Sequence, residues 1–436
     1  MNGLVRIVSL TALLTLSYTR TFAAEETTAP PQQSSAQEAH KASESTEKPL
    51  EPGWFGLECC VGLADDAMAE GKNVVQDALR VDVSGFFDFG WNRASSHPSH
   101  PEHISGRYFD MDYNRFQLND FHIAIDKPEK DWGVGFHLSG DFGRTAQLLR
   151  EATFWGRTLH HEPSAELRES YLTTTIPFGE GISVKGGLFV TPLGLEIIPA
   201  PGAYNDNISR SFIFNFGLPL RHLGTLFSYP VYKKDKDTTI ATVSAGIVTG
   251  WDDPRDNNTT PSFLGGVTVT PGDTFSFTSN LIAGAEPVTL SPPNANNTAR
   301  FTIDSVWTVK PIDPLSLALE YLWGHQSKAS PGETRGASWQ GVAGIASYSW
   351  TDRVLSALRL EWFNDRDGAR LGGASNGVAN VNVAEFTVTG SYKFTKMLMG
   401  RAEVRHDWSD QPVYRVDTVN FDKHQTTLAL QLLYTF

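Results

Sequence analysis

The chain has 436 residues, a formal net charge of −13, 11% aromatic residues and two cysteines. An acidic balance argues against nucleic acid as a partner. No apolar run after the first two dozen residues approaches the roughly 20 that a membrane-spanning helix needs, so any insertion must be by strands. A mean hydropathy of −0.26 does not speak against that, because a polar barrel lumen hides the lipid-facing band from averaging.

Residues 1–24 carry Arg6 in a short basic region, then VSLTALLTLSY, then TFAA, which reads as a secretory signal peptide cleaved near Ala23 or Ala24. Residues 25–52 are rich in Glu, Ser, Thr, Gln, Ala and Pro; they bury too little to fold and predict a disordered periplasmic tail. A short helix is expected at 65–79, so 25–80 form a tail ahead of the barrel at 81–436. Cys59 and Cys60 are adjacent. Their Cα atoms, about 3.8 Å apart, lie outside the comfortable disulfide range, so two small unpaired side chains are favoured over an intermolecular bridge or a lipid attachment.

From Val81 onward sixteen strand candidates follow, near 81–90, 113–126, 131–142, 166–177, 181–190, 220–231, 238–250, 262–271, 273–284, 299–310, 313–324, 337–350, 352–363, 382–394, 396–408 and 424–436. Their connections alternate between short turns and longer polar stretches. That asymmetry, with an even strand count, predicts an all-β transmembrane antiparallel up-and-down barrel with short periplasmic turns and long outer loops. The last strand sets Leu428, Leu430, Leu432, Tyr434 and Phe436 on one face. Thr427, Ala429, Gln431 and Thr435 take the other, with Leu433 the apolar exception.

Facing can be read in several strands. Leu315, Leu317, Leu319, Tyr321 and Trp323 oppose Ser316, Ala318, Glu320 and Gly324. Leu358, Leu360 and Trp362 oppose Arg359 and Glu361; Phe386 and Val388 oppose Glu385 and Lys393; Ala402 and Val404 oppose Arg401, Glu403, Arg405 and Asp407. An Arg or Lys on the lipid face costs about 2–4 kcal/mol at midplane, so these charges are predicted to point inward. With Lys185 they form the expected pore-lining set. It reads either as a wall that sorts ions or as a ladder of cross-strand ion pairs. Strands 166–177 and 337–350 show mixed faces.

Several segments in fixed order look familiar: DYNRFQLNDFHIAIDKP at 112–128, KGGLFVTPLGLEII at 185–198, SRSFIFNFGLPLRHLGTLFSYPV at 209–231, AGIVTGWDD at 245–253, SLALEYLWG at 316–324 and EVRHDWSD at 403–410. The chain from 81 to 436 resembles the OmpL-like β-barrel porin family of Gram-negative outer membranes. The resemblance implies a pore for small hydrophilic solutes or ions in the cell outer membrane, and names no particular solute. It is also similar to such barrels in ending on an aromatic. This implies recognition of the last strand, through Phe436, by the barrel-assembly machinery. Lipid and lipopolysaccharide are the expected surroundings, with self-association an open alternative.

The longest connection, Thr191 to Pro219, is also the third long one. By analogy with porins it is expected to fold into the barrel, placing Glu196, Asp206 and Arg210 at a constriction. His97, His100 and His103 share one loop, and His160 and His161 the next; intervening prolines leave a solvated loop favoured over a metal site, and no cofactor is expected. There is no G-x-S-x-G, H-E-x-x-H or phosphate loop, and His222 with Ser228 is the nearest thing to a catalytic pair. A diffusive porin is therefore favoured, a plugged or anchoring barrel comes second and an outer-membrane enzyme third.

Overall fold

A computed structural model describes residues 81–95, 103–129, 133–152, 165–252, 258–287, 297–329, 335–371, 378–417 and 419–436. The expected signal peptide, tail, cysteine pair and 65–79 helix lie outside the described residues, as do His97, His100, His160 and His161.

In chain order the strands are β1 Asp82–Ala94, β2 Phe116–Lys127, β3 Gly135–Phe142, β4 Ala165–Ile176, β5 Ile182–Val190 and β6 Arg221–Lys233. Next come β7 Thr239–Val248, β8 Ser262–Gly272, β9 Phe275–Pro287, β10 Asn297–Ile312, β11 Leu315–Gln326 and β12 Ala337–Ser349. The last are β13 Val354–Asp365, β14 Val381–Lys393, β15 Leu398–Ser409, β16 Tyr414–Arg415, β17 Phe421–Asp422 and β18 His424–Thr435. All but β16 and β17 join in sequence order into one closed barrel of sixteen antiparallel strands; β16 and β17 form a small separate hairpin. A helix α1 (Arg144–Ala152) and a π-helical turn (Ile213–Gly217) lie in the long connections. Each of the sixteen strands falls where the sequence places one.

The barrel closes between first and last strands, Phe86 opposite Thr435 and Ala94 opposite Thr427. Gly85 and Phe436 exchange backbone hydrogen bonds of 2.9 Å each. Closure leaves no unpaired edge in lipid, the condition a spanning sheet must meet. Period-2 alternation is visible in exposure: Leu360 is 53% exposed, between Arg359 at 0% and Glu361 at 5%. The apolar exception on β18 is resolved by packing. Leu433 points inward and is buried with Phe86 and Met399.

The two strands with mixed faces have different causes. In β4 the pairing jumps from Ser139↔Glu169 to Gly140↔Leu167, so Arg168 is an extra, unpaired residue. This bulge inverts the phase, and Arg168 and Glu169 are both buried inside. In β12 the alternation is regular, but large apolar Trp339 points inward. It does so because the interior beside it is apolar. A cluster that includes Phe189, Leu193, Phe212, Phe214, Leu322, Trp339 and Phe363 fills part of the barrel. A lumen built of strands alone would be polar; here inserted loop residues bring their own core.

Candidate functional site: a loop held inside the barrel

Residues 191–220, between β5 and β6, run along the inner wall, and the wall residues are chosen to receive them. A segment inside a barrel must find partners for its backbone N–H and C=O groups, since each one left unmade costs about 1–3 kcal/mol. Entry is made at Gly194, whose φ of 103° is reached cheaply only by glycine. Its N–H donates to Asp304 Oδ2 at 2.9 Å, and Leu195 N–H to Glu320 Oε1 at 3.0 Å. Further along, Ile208 and Ser209 N–H both donate to the Glu403 carboxylate, at 2.5 and 3.0 Å. Phe212 and Ile213 N–H both donate to Glu361, at 2.6 and 2.7 Å. The segment leaves where Leu220 and Arg221 N–H share Asp252 Oδ1, at 2.5 and 3.1 Å. Burial pushes the Asp252 carboxyl above its usual range, and those two N–H groups partly offset the shift.

Arginines receive the carbonyls. Arg359 donates to Ser209 O at 2.7 Å while pairing with Glu385 at 2.5 Å and with Glu196 of the loop at 2.6 Å. Arg405 donates to Arg210 O at 2.5 Å, pairs with Asp407 at 2.6 Å and stacks 4.8 Å from the Phe212 ring. Arg401 donates to Asn205 O at 2.8 Å. Trp339 Nε1 donates to Gly217 O at 2.9 Å, which is why an indole sits on an inner face. Close approach is permitted by Gly341 of β12, where a Cβ would stand 2.5 Å from Ile213 Cγ1. The first long connection joins the same network: Arg107 pairs with Asp407 at 2.9 Å and with Asp110 at 3.2 Å.

The expected pore-lining residues thus divide. Glu320, Arg359, Glu361, Glu385, Arg401, Glu403, Arg405 and Asp407 all face inward and all are buried. Six of these eight contact residues 191–220 directly, whereas Glu385 and Asp407 act through Arg359 and Arg405. Lys185 makes no hydrogen bond or ion pair with that network, and Lys393 meets the loop through its attraction to Asp206. Lys393 lies at the short-turn end of β14, half-buried. Of the expected constriction residues, Glu196 binds both Arg359 and Ser211 N–H, the latter at 2.6 Å. Asp206 accepts from Ser347 Oγ at 2.5 Å, and Arg210 turns back to Ile208 O at 2.6 Å.

The opposite wall is plain. By register, Ser183, Lys185, Leu226, Ser228, Ser244, Thr268 and Thr278 face inward on β5 to β9, half-buried. Ser228 and Ser244 share a 2.8 Å hydrogen bond, and Thr278 donates to Thr268 at 3.4 Å. His222 contacts Gly250 O and Thr191 Oγ1 at 3.1 and 3.0 Å, so it and Ser228 are engaged elsewhere and not with each other.

The sequence did not reveal a third group, on β2 to β4. Asp120, His122 and Asp141 offer ligand atoms within 4.8 Å of one another. Arg168 occupies the cation position, 2.7 Å from Asp120 and 2.6 Å from Asp141, and also donates to Pro199 O of the loop. The bulge that brings Arg168 inward also hides it from an alternation count. Asp304 was legible by parity from its neighbours Thr302 and Val306 but lies on a strand with no other acid. Arg107 lies in an irregular loop and gave no signal.

A closed sixteen-strand barrel with an apolar belt and an internal loop is a porin-type barrel of the outer membrane. The family described as putative beta-barrel porin-2, OmpL-like, matches residues 80–436, and the chain belongs to it. Comparison with curated protein sequences finds no match. Among solved structures, the outer membrane channel DcaP of Acinetobacter baumannii superposes with a TM-score of 0.54 at 12% identity, covering 82% of this chain and 97% of that one. The anion-selective porin from Comamonas acidovorans gives 0.54 at 10% identity, over 82% and 99%. Outer-membrane expressed OmpT of Vibrio cholerae gives 0.50 at 10% identity, over 82% and 97%. At these identities the likeness is one of fold.

Proposed function

We propose that this outer-membrane porin passes small hydrophilic solutes between residues 191–220 and the β5–β9 wall, with the loop as its constriction. One observation carries the reading: the loop is fastened to the opposite wall from Asn205 to Ile213, which leaves the Ser- and Thr-lined face half-uncovered. The charged row then acts first as the fastening, and reaches permeating ions only through the loop. In this reading the short turns face the periplasm, the outward belt of Leu428, Leu430 and Leu432 meets lipid and lipopolysaccharide, and β18 with Phe436 is the handle for the assembly machinery. Catalysis has no part in it, and no cofactor or metal is required. Shortening the loop between Leu195 and Ser211 in a barrel that still shifts on unboiled gels is expected to raise single-channel conductance in planar bilayers. Unchanged conductance rejects the constriction.

The plugged-barrel reading has its own support in the apolar cluster that the loop builds with Phe189, Trp339 and Phe363. It wins if the folded wild type carries no current while the shortened variant does.

A further inference from the structure

Along β5 to β9 the inward-facing ionisable side chains are Lys185, His222 and Glu286. Glu286 accepts from Trp251 N–H at 2.9 Å at the long-loop end, and His222 is fully buried with both ring nitrogens engaged. Lys185 differs from both. Register sets it opposite Thr173 and Leu226, in the stretch with Ser183, Ser228 and Ser244. Its Nζ lies 4.5 Å from the Tyr171 ring centre and 5.8 Å from that of Phe189. Among the described residues it makes no hydrogen bond or ion pair. Glu169 attracts it electrostatically without forming an ion pair, and gives one carboxylate oxygen to Val190 N–H at 2.9 Å. Two ring faces hold the ammonium in place without neutralising it.

The acids of the β10–β15 wall are engaged elsewhere, and Asp120 and Asp141 on β2 and β3 hold Arg168. Asp304, Glu320, Glu361 and Glu403 each receive loop N–H groups, and Glu385 and Asp407 are paired with arginines. All six are buried behind or beneath the loop. We infer that Lys185 makes the solute path prefer anions, halides and small carboxylates or phosphates, in a chain whose net charge is −13. The inference rests on the proposed path along the β5–β9 wall. A single charge met at about 4 Å in a water-like medium enriches counter-ions roughly fivefold. A charge behind the loop acts from farther off and is weakened over a Debye length of about 8–10 Å.

The test is the reversal potential of single channels of the full-length protein in a potassium chloride gradient at low salt. Wild type is expected to favour chloride over potassium. Lys185→Gln should lower the chloride-to-potassium permeability ratio by about 25-fold, since the charge that enriches chloride about fivefold depletes potassium about as much; Lys185→Glu should carry it below unity, and Lys185→Arg should keep it. The differences should shrink at 1 M salt, where the screening length is about 3 Å. Gel mobility of the unboiled protein checks that each variant is a closed barrel. A cation-selective wild type, or a ratio unmoved in Lys185→Gln and Lys185→Glu, overturns the inference and leaves the path standing. A folded wild type without current overturns the path and the inference together.

Discussion

The two halves of the inner wall solve opposite problems. From β11 round to β18 the wall is dense in charge and yet buried: Arg359, Glu385, Arg405 and Asp407 are paired with one another and turned toward a peptide segment. From β5 to β9 it is nearly free of charge and half-open, lined by small hydroxyls beside one lysine. Charge density on a barrel strand is therefore a poor guide to how exposed its inner face is. A loop brought into the lumen must have its N–H and C=O groups met, and ionised side chains make the strongest partners for them. The charged wall resembles a protein interior cut open and closed again with residues 191–220. The plain wall keeps the character of a pore.

The contrast breaks most sharply at Arg359. It joins Glu385 on the wall, Glu196 on the loop and the Ser209 carbonyl. Arg359→Ala leaves the buried Glu385 and Glu196 carboxylates without their shared arginine, and loss of one partner of a buried pair costs about 3–5 kcal/mol. The expected outcome is a clear drop in the temperature at which the unboiled gel form converts, together with noisy, larger conductance. Equal conversion temperatures would show that the pair is not desolvated.

A smaller effect separates acceptor from charge at Glu361. Glu361→Ala leaves the Phe212 and Ile213 N–H groups without an acceptor, at about 1–3 kcal/mol each. Glu361→Gln retains one oxygen to accept. Protease cleavage within 205–215 should appear in the alanine variant and be weaker in the glutamine variant. Equal resistance in both would mean that the loop is held by its apolar contacts alone.

The smallest effect concerns selectivity. Arg401→Ser with Arg405→Ser removes two positive charges, but both lie buried against Asn205 and Arg210 carbonyls. The reversal potential at low salt is expected to move less than in Lys185→Gln, and the conductance to move more. A larger selectivity shift in the double variant would place the conducting path on the charged side and exchange the roles of the two walls.

How much of this was open to a reader of residues varies with the interaction involved. Strand positions, the outward belt of β11, β13, β14 and β15 and the inward set of Arg359, Glu361, Arg401, Glu403 and Arg405 follow from a period of two. Lipid punishes charge on one face, so parity alone decides. Where an added residue breaks parity, as at Arg168, the reading fails, because a bulge leaves no mark in composition. The length of the 191–220 connection raised the idea of an inward loop without choosing its wall. That choice depends on matching Glu361 to the N–H groups of Phe212 and Ile213, about 150 residues apart, and on Gly341 making room for Ile213. Local pattern fixed which residues look inward, since it rests on each strand's own alternation. Only the closed barrel decided whether they meet water or peptide, since that depends on what distant chain is folded against them.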